Sequence, residues 1–323
     1  MNALFPESLA DASRVLILHE GENPTSDFYL ASRLNTVKVD VEWLRLDALP
    51  DPERLNGAAL VIVRYLNPSW HRFLSLHHHR LADCVWLIDD DLFDFQVLWK
   101  VSGGLGWKWF WRAWRYKAWL DKQVKLWVST PYLADKYAKY QPHILPPQSP
   151  YQCVPAPSTL STADSGRIAK PIVFYHGSIS HRREQAWLIP VFEQVVQQYP
   201  DVEFELIGNQ KVSRLFAHIS QVKVYPALSW PEYKVWLQKP GRKIGLAPLL
   251  EDSVNAARAP TRFYDIEASG AVGIYSPGPV YESVVIDGIN GHLVETDQAQ
   301  WVNKILELLN QSSRDRGRSN ISS

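Results

Sequence analysis

Short apolar runs broken by turn residues recur along this chain, and their spacing predicts its elements. In the first half such runs fall at residues 15–19, 60–64, 85–88 and 126–129. Residues 28–34 and 131–140 between them carry apolar positions at helical spacing. The second half repeats the scheme. It has strands at 172–175, 203–207, 222–225, 244–247 and 272–275, and a helix over 184–199. Strands that alternate with helices predict parallel sheets covered on both faces, an α/β fold. Between Gln141 and Pro171 lie seven prolines, with Ser158, Ser161 and Ser165, a composition suited to an extended linker. The pattern therefore predicts two domains, residues 1–165 and 166–310, followed by a polar, frayed tail at 311–323. No repeat of fixed period is visible.

Two segments of the second half carry candidate chemistry. Residues 253–294 read as a loop, a short helix, a buried strand, a second loop and a tight turn. Pro260 suits the start of that helix and Gly270 its end. Arg258 precedes the helix and Arg262 lies in its first turn, beside the N–H groups of Thr261 and Arg262. Two guanidiniums flanking a helix N-terminus suit a diphosphate, although a helix start with two surface arginines has the same letters. The second segment is F-Y-H-G-S-I-S-H-R-R-E, residues 174–184, between a strand and a helix. Open parallel sheets bind ligands in such crevices. There Gly177 allows close backbone approach, Ser178 offers a hydroxyl, and His181 and Arg182 can face a phosphate. The competing reading is a helix capped by Ser180.

The first of these segments resembles the donor-binding region of family-4, or "group 1", glycosyltransferases, and within them a bacterial polysaccharide-type subgroup. The subgroup pattern runs roughly P-L-x-D-x-x-F-N-x-A-K-S-P-x-K-F-x-E-Y-x-A-x-G; here stand Pro248, Leu249, Asp252 (one place late), Asn255, Ala257, Arg258, Pro260, Arg262, Phe263, Asp265, Ala268 and Gly270. Arginines replace both lysines, which keeps the charge and adds a bidentate fork. The resemblance implies two Rossmann-like domains facing across a cleft, the GT-B architecture. It also implies that Asp265, in place of a glutamate, binds the ribose hydroxyls of a nucleotide sugar. The superfamily's further glutamate is absent, and Ala257 stands in its place. The stretch at residues 177–184 resembles the subgroup's G-S-x-T-H-x-x-D, and P-D-V-E-F-E-L-I-G, ending at Gly208, matches the superfamily near the nucleotide.

Asp89, Asp90 and Asp91 follow the strand W-L-I. A D-x-D metal site is one reading. An acceptor-side loop with Asp89 as a catalytic candidate, which the subgroup's D-D-D-L-x-D implies, is favoured because the phosphate signals lie in the other domain. Three adjacent acids cannot all be buried unpaired, so at least one is structural. His77, His78 and His79 point in different directions on a helix and read as a solvated face, not a metal site. Six tryptophans between Trp99 and Trp119 mix with Lys100, Lys108, Arg112, Arg115 and Lys117. Trp107, Phe110, Trp111 and Trp114 recur at helical spacing. A membrane-interface surface, a core helix with Trp109 over-exposed and a sugar-stacking platform are all compatible with these letters.

Composition narrows the classes. The 323 residues are 46% hydrophobic and 21% charged, with 34 basic and 34 acidic side chains, so no electrostatic footprint for nucleic acid is present. Cys84 and Cys153 are too few for a disulfide scaffold or a zinc cluster. Neither a signal peptide nor a spanning apolar run is evident, and the expected setting is cytoplasmic, with peripheral attachment to the membrane's inner face open. A dinucleotide oxidoreductase would need G-x-G-x-x-G after an early strand, whereas His19-Glu20-Gly21 runs into Glu22 and Asn23. The resemblance therefore implies a retaining hexosyltransferase-like enzyme that uses a nucleotide sugar as substrate, with no cofactor. Its acceptor is a saccharide or lipid-linked saccharide. The alternative is a non-catalytic nucleotide- or glycan-binding member of the same fold within a larger assembly.

Overall fold

The computed structural model describes residues 9, 12–35, 38–101, 104–122, 124–151, 170–177 and 181–319. The chain divides into two compact units, residues 1–150 with 252–259, and residues 151–251 with 260–323. Each is built on a parallel sheet of six strands, the α/β fold that the alternation of runs predicts.

In the first unit the strands are β1 (Arg14–His19), β2 (Asp40–Arg45), β3 (Ala58–Val63), β4 (Asp83–Ile88), β5 (Lys125–Val128) and β6 (His143–Ile144), in the order β2-β1-β3-β4-β5-β6. β3 is buried along its whole length, as expected where helices cover both faces. β2 went unrecognised in the sequence because it is an edge strand that interleaves polar Asp40, Glu42 and Arg45 with its apolar residues. The unit's helices are α1 (Pro24–Ser26), α2 (Ser32–Leu34), α3 (Pro68–His77), α4 (Phe95–Leu98), α5 (Leu105–Arg112) and α6 (Pro131–Lys136). α1 and α2 are joined by a π-wound turn at Asp27–Ala31, so the expected helix at 28–34 begins four residues earlier. Asn67 and Thr130 cap α3 and α6, each followed by a proline. The core of this unit includes Leu60, Ile62, Trp70, Trp86 and Val128, and also Val254 and Ala257.

The second unit holds β7 (Ile172–Tyr175), β8 (Glu203–Ile207), β9 (Val222–Tyr225), β10 (Arg242–Ala247), β11 (Val272–Tyr275) and β12 (His292–Leu293), in the order β12-β11-β10-β7-β8-β9. Its helices are α7 (Arg182–Gln198), α8 (Gln210–Leu215), α9 (Trp230–Leu237), α10 (Thr261–Ala268) and α11 (Gln298–Ser319). α7 and α11 bury Leu188, Val191, Phe192, Trp301, Ile305 and Leu309 against Val173, Phe204 and Ile244 of the sheet. The tail expected to fray is helical as far as Ser319. The docked stripe of Trp301, Val302, Ile305, Leu308 and Leu309 supplies the nucleus, after which each further turn adds at little cost.

Candidate functional site

The candidate chemistry of the second unit lies at the carboxyl ends of its strands. α10 begins after Pro260, which occupies the cap position, and its first N–H groups have no intrahelical acceptors. Gly270, at φ 71°, lies just beyond the C-cap Ser269 in the left-handed region that closes such a helix. In the first turn, the Arg262 guanidinium carbon lies 4.7 Å from the centre of the Tyr175 ring. Tyr175 is the last residue of β7 and is buried. Gly177 lies against the same ring: a Cβ there would come within 2.6 Å of it, so the backbone reaches this point only without a side chain.

One turn after Arg262, Asp265 accepts a hydrogen bond from the Tyr151 hydroxyl. Burial raises its carboxyl to about 6, against the opposing pull of Tyr151 and Arg262. Glu267 is exposed and points elsewhere, as its spacing from Asp265 predicts. Next to this pair lies a buried polar network that the sequence did not announce. The Arg242 Nε donates to Glu205 at 2.6 Å and its Nη1 to the carbonyls of Trp236, Leu237 and Lys239. The guanidinium also stacks 4.2 Å from the Trp236 ring. His176 has Nε2 3.1 Å from Glu205 and Nδ1 3.2 Å from the Tyr233 hydroxyl. Burial pushes its imidazole down to about 4, so it is neutral at pH 7. Neutral His176 then donates from Nε2 to the carboxylate and accepts from Tyr233.

The other expected donor residues are distributed as follows. His181 is buried, with Nδ1 3.8 Å from the Glu184 carboxylate. Arg182 is exposed on the first turn of α7. Gly208 follows the end of β8, where a Cβ would meet Val212 of α8 at 2.6 Å. Ser178 and Ser180 lie outside the described residues. Arg258 belongs to the first unit, and its Nη1 lies 3.2 Å from Asp90. Residues 252–259 carry Val254 and Ala257 into that unit's core, which brings Arg258 to the acid cluster.

That cluster lies at the carboxyl ends of β3 and β4. Arg64, at φ 61°, a left-handed conformation uncommon outside glycine, bridges Asp89 at 2.8 Å and Asp90 at 2.7 Å. The Thr25 hydroxyl donates to Asp89 at 2.7 Å. Burial and the adjacent Asp90 raise the Asp89 carboxyl, although Arg64 opposes them; Asp90 is held low, because Arg258 and Arg64 outweigh burial. Asp91 turns away to Lys136 and the Tyr137 hydroxyl. All three acids are thus paired, and Asp89 and Asp91 are drawn to different partners. Among the described residues no group of three or more acidic, histidine or cysteine side chains could hold a metal ion. His78 and His79 are exposed beyond the end of α3.

In the tryptophan segment the structure overturns one expectation, the over-exposure of Trp109. Trp109 is buried at 3% exposure, while Trp99, Trp107 and Trp111 are 70%, 61% and 50% exposed. Gly106 explains the rotation of α5: a Cβ there would lie 2.2 Å from the Leu98 carbonyl, so this face packs directly on the end of α4. Trp109, three residues on, shares that face. Phe110 and Trp114 are half-buried against the core, and edge and stacking contacts link them to the more exposed Phe95, Trp99 and Trp107. Arg115 covers the Trp111 ring at 4.7 Å, whereas Lys108 and Arg112 turn to Tyr65 and Glu20. Among the described residues no helix is long and apolar enough to cross a membrane.

No family model and no curated protein sequence matches this chain. Solved structures do. The structure titled TarM superposes with a TM-score of 0.54 at 15% identity, covering 79% of this chain and 48% of that one. The pneumococcal O-GlcNAc transferase GtfA, in complex with UDP and GlcNAc, gives 0.51 at 15% identity over 81% of this chain and 51% of its own. OtsA gives 0.52 at 10% identity, with 92% and 91% covered. The chain thus spans about half the length of TarM and of GtfA. With its two parallel six-stranded sheets it has the fold of the GT-B glycosyltransferases.

Proposed function

We propose that this chain is a glycosyltransferase that moves a sugar from a nucleotide-diphosphate donor to a saccharide or lipid-linked saccharide acceptor. The observation that carries the reading is the pairing, one helical turn apart at the start of α10, of a cation seated over Tyr175 with a carboxylate held by Tyr151. Glycosyl transfer requires stabilisation of the departing diphosphate. Arg262 and the α10 N-terminus can supply this, making the proposed reaction metal-independent. Asp265 accepts the ribose hydroxyls. Gly177, Ser178, His181, Arg182, Gly208 and Thr261 complete the proposed donor set. Asp89 is the acceptor-side catalytic candidate, and Arg258, paired with Asp90, is the second cation of the reading.

A retaining outcome and a role in bacterial surface polysaccharide assembly follow from the resemblance of residues 248–270 to the polysaccharide-type subgroup. The GtfA structure holds UDP and GlcNAc, which makes uridine nucleotides the first probes. We further propose a cytoplasmic setting with peripheral attachment through the exposed indoles of Trp99, Trp107 and Trp111, a residue mix suited to the headgroup level. A thermal-shift panel of nucleotide sugars tests the donor reading, because a ligand of the native state raises Tm. A shift with at least one nucleoside diphosphate and its sugar is expected; no shift with any of them overturns it.

A further inference from the structure

The stripe of α7 that faces the second sheet is apolar at Leu188, Val191, Phe192 and Val195. At its N-terminal end the same spacing continues with polar residues, His181, Glu184 and Gln185, all of them buried. Gln185 is 1% exposed, and among the described residues neither its amide oxygen nor its amide nitrogen has a hydrogen-bond partner. Leaving both poles of a buried amide unmet opposes folding, and leucine or methionine would fill a position on an apolar stripe without that cost. The described residues thus leave both poles of this amide open to a partner from outside the chain.

Its position indicates what that partner is. The polar end of the stripe lies at the carboxyl end of β7, where Tyr175 shares a core with Leu188 and Val191 and carries Arg262 over its ring. The charge of Glu184, 2% exposed, acts on both Tyr175 and Arg262. Phosphate oxygens only accept hydrogen bonds, and the neighbouring buried carboxylate disfavours an anion next to Gln185. A sugar hydroxyl donates and accepts, which is the complement of an amide.

We propose that Gln185 is a specificity-determining residue that reads hydroxyl or acetamido groups of the donor hexose, while Arg262 takes the diphosphate. This rests on the glycosyltransferase reading above. The test is calorimetric binding of UDP, UDP-glucose, UDP-N-acetylglucosamine, GDP and GDP-mannose to the full chain, as wild type, Gln185→Leu and Gln185→Met, with the ligand-free Tm of each. The expected result is unchanged affinity for the nucleoside diphosphate, an about tenfold loss of affinity for its sugar conjugate, and a ligand-free Tm equal to or above wild type. A lower ligand-free Tm with parallel losses for diphosphate and conjugate would assign Gln185 a structural role and overturn the proposal. Full retention of the sugar's contribution in both variants would overturn it too. A wild type that binds none of the five probes would instead remove the donor reading on which it stands.

Discussion

Replacing Asp265 by asparagine separates the physics of the site from its folding. The native carboxyl titrates at about 6 against an ordinary 3.8, because burial disfavours its charged form more than Tyr151 and Arg262 favour it. Between those two values the native state holds a proton that the unfolded chain has released. Stability attributable to Asp265 is therefore full below pH 3.8 and is lost as pH rises through 6. The rise from 3.8 to about 6 corresponds to about 3 kcal/mol. Asparagine keeps an oxygen that can accept from Tyr151 and removes the charge. Urea titrations from pH 4 to 8 should show Asp265→Asn gaining on the wild type across that window, by up to about 3 kcal/mol at its alkaline end. The same substitution should weaken binding of a ribonucleoside diphosphate far more than of its 2′,3′-dideoxy analogue, since only the former offers hydroxyls to the carboxylate. A pH-independent stability difference would refute the burial argument, and equal losses for both ligands would refute the ribose contact.

Arg262→Ala removes a charged hydrogen-bond donor and should weaken nucleoside-diphosphate binding by about 1.5–3 kcal/mol, measured by titration calorimetry. Gly177→Ala forces a methyl to within 2.6 Å of the Tyr175 ring. It should lower stability by about 1–3 kcal/mol in urea melts and weaken the donor with it. Trp99→Ser with Trp107→Ser and Trp111→Ser should abolish co-sedimentation with anionic vesicles at low salt while leaving Tm unchanged. Trp109→Ser, in the core, should lower Tm instead, and failure of the wild type to sediment would return the exposed indoles to sugar stacking. Attachment should also weaken at high salt, as screening removes the cationic share.

The strands were legible because a strand buried on both faces has to be written as an uninterrupted apolar run, as β3 is. The ends of α10 were legible because Pro260 and Gly270 are conformational signals independent of the rest of the fold. β2 was missed because its edge position relaxes the demand for apolar residues. Trp109 was misplaced because helical spacing defines a stripe but not which stripe meets the core; that was set by Gly106 against Leu98, a contact distant from any periodicity. Val254 and Ala257 packed the segment that carries Arg258 into the first unit's core, which spacing along the chain does not reveal. The strained Arg64, the clamp of Tyr151 on Asp265 and the buried Gln185 depend on partners far along the chain or missing from it. A single sequence marks none of them.

The claim that this fold catalyses glycosyl transfer is tested most directly by the rate of nucleoside-diphosphate release from a panel of nucleotide sugars, with lipid-linked and free saccharide acceptors, for the wild type and Arg262→Ala. The account predicts acceptor-dependent release by the wild type with at least one donor, and a fall of about 10- to 100-fold when the diphosphate loses its guanidinium. A wild type that binds a nucleotide sugar yet releases no diphosphate with any acceptor, or an Arg262→Ala variant as fast as the wild type, would contradict it.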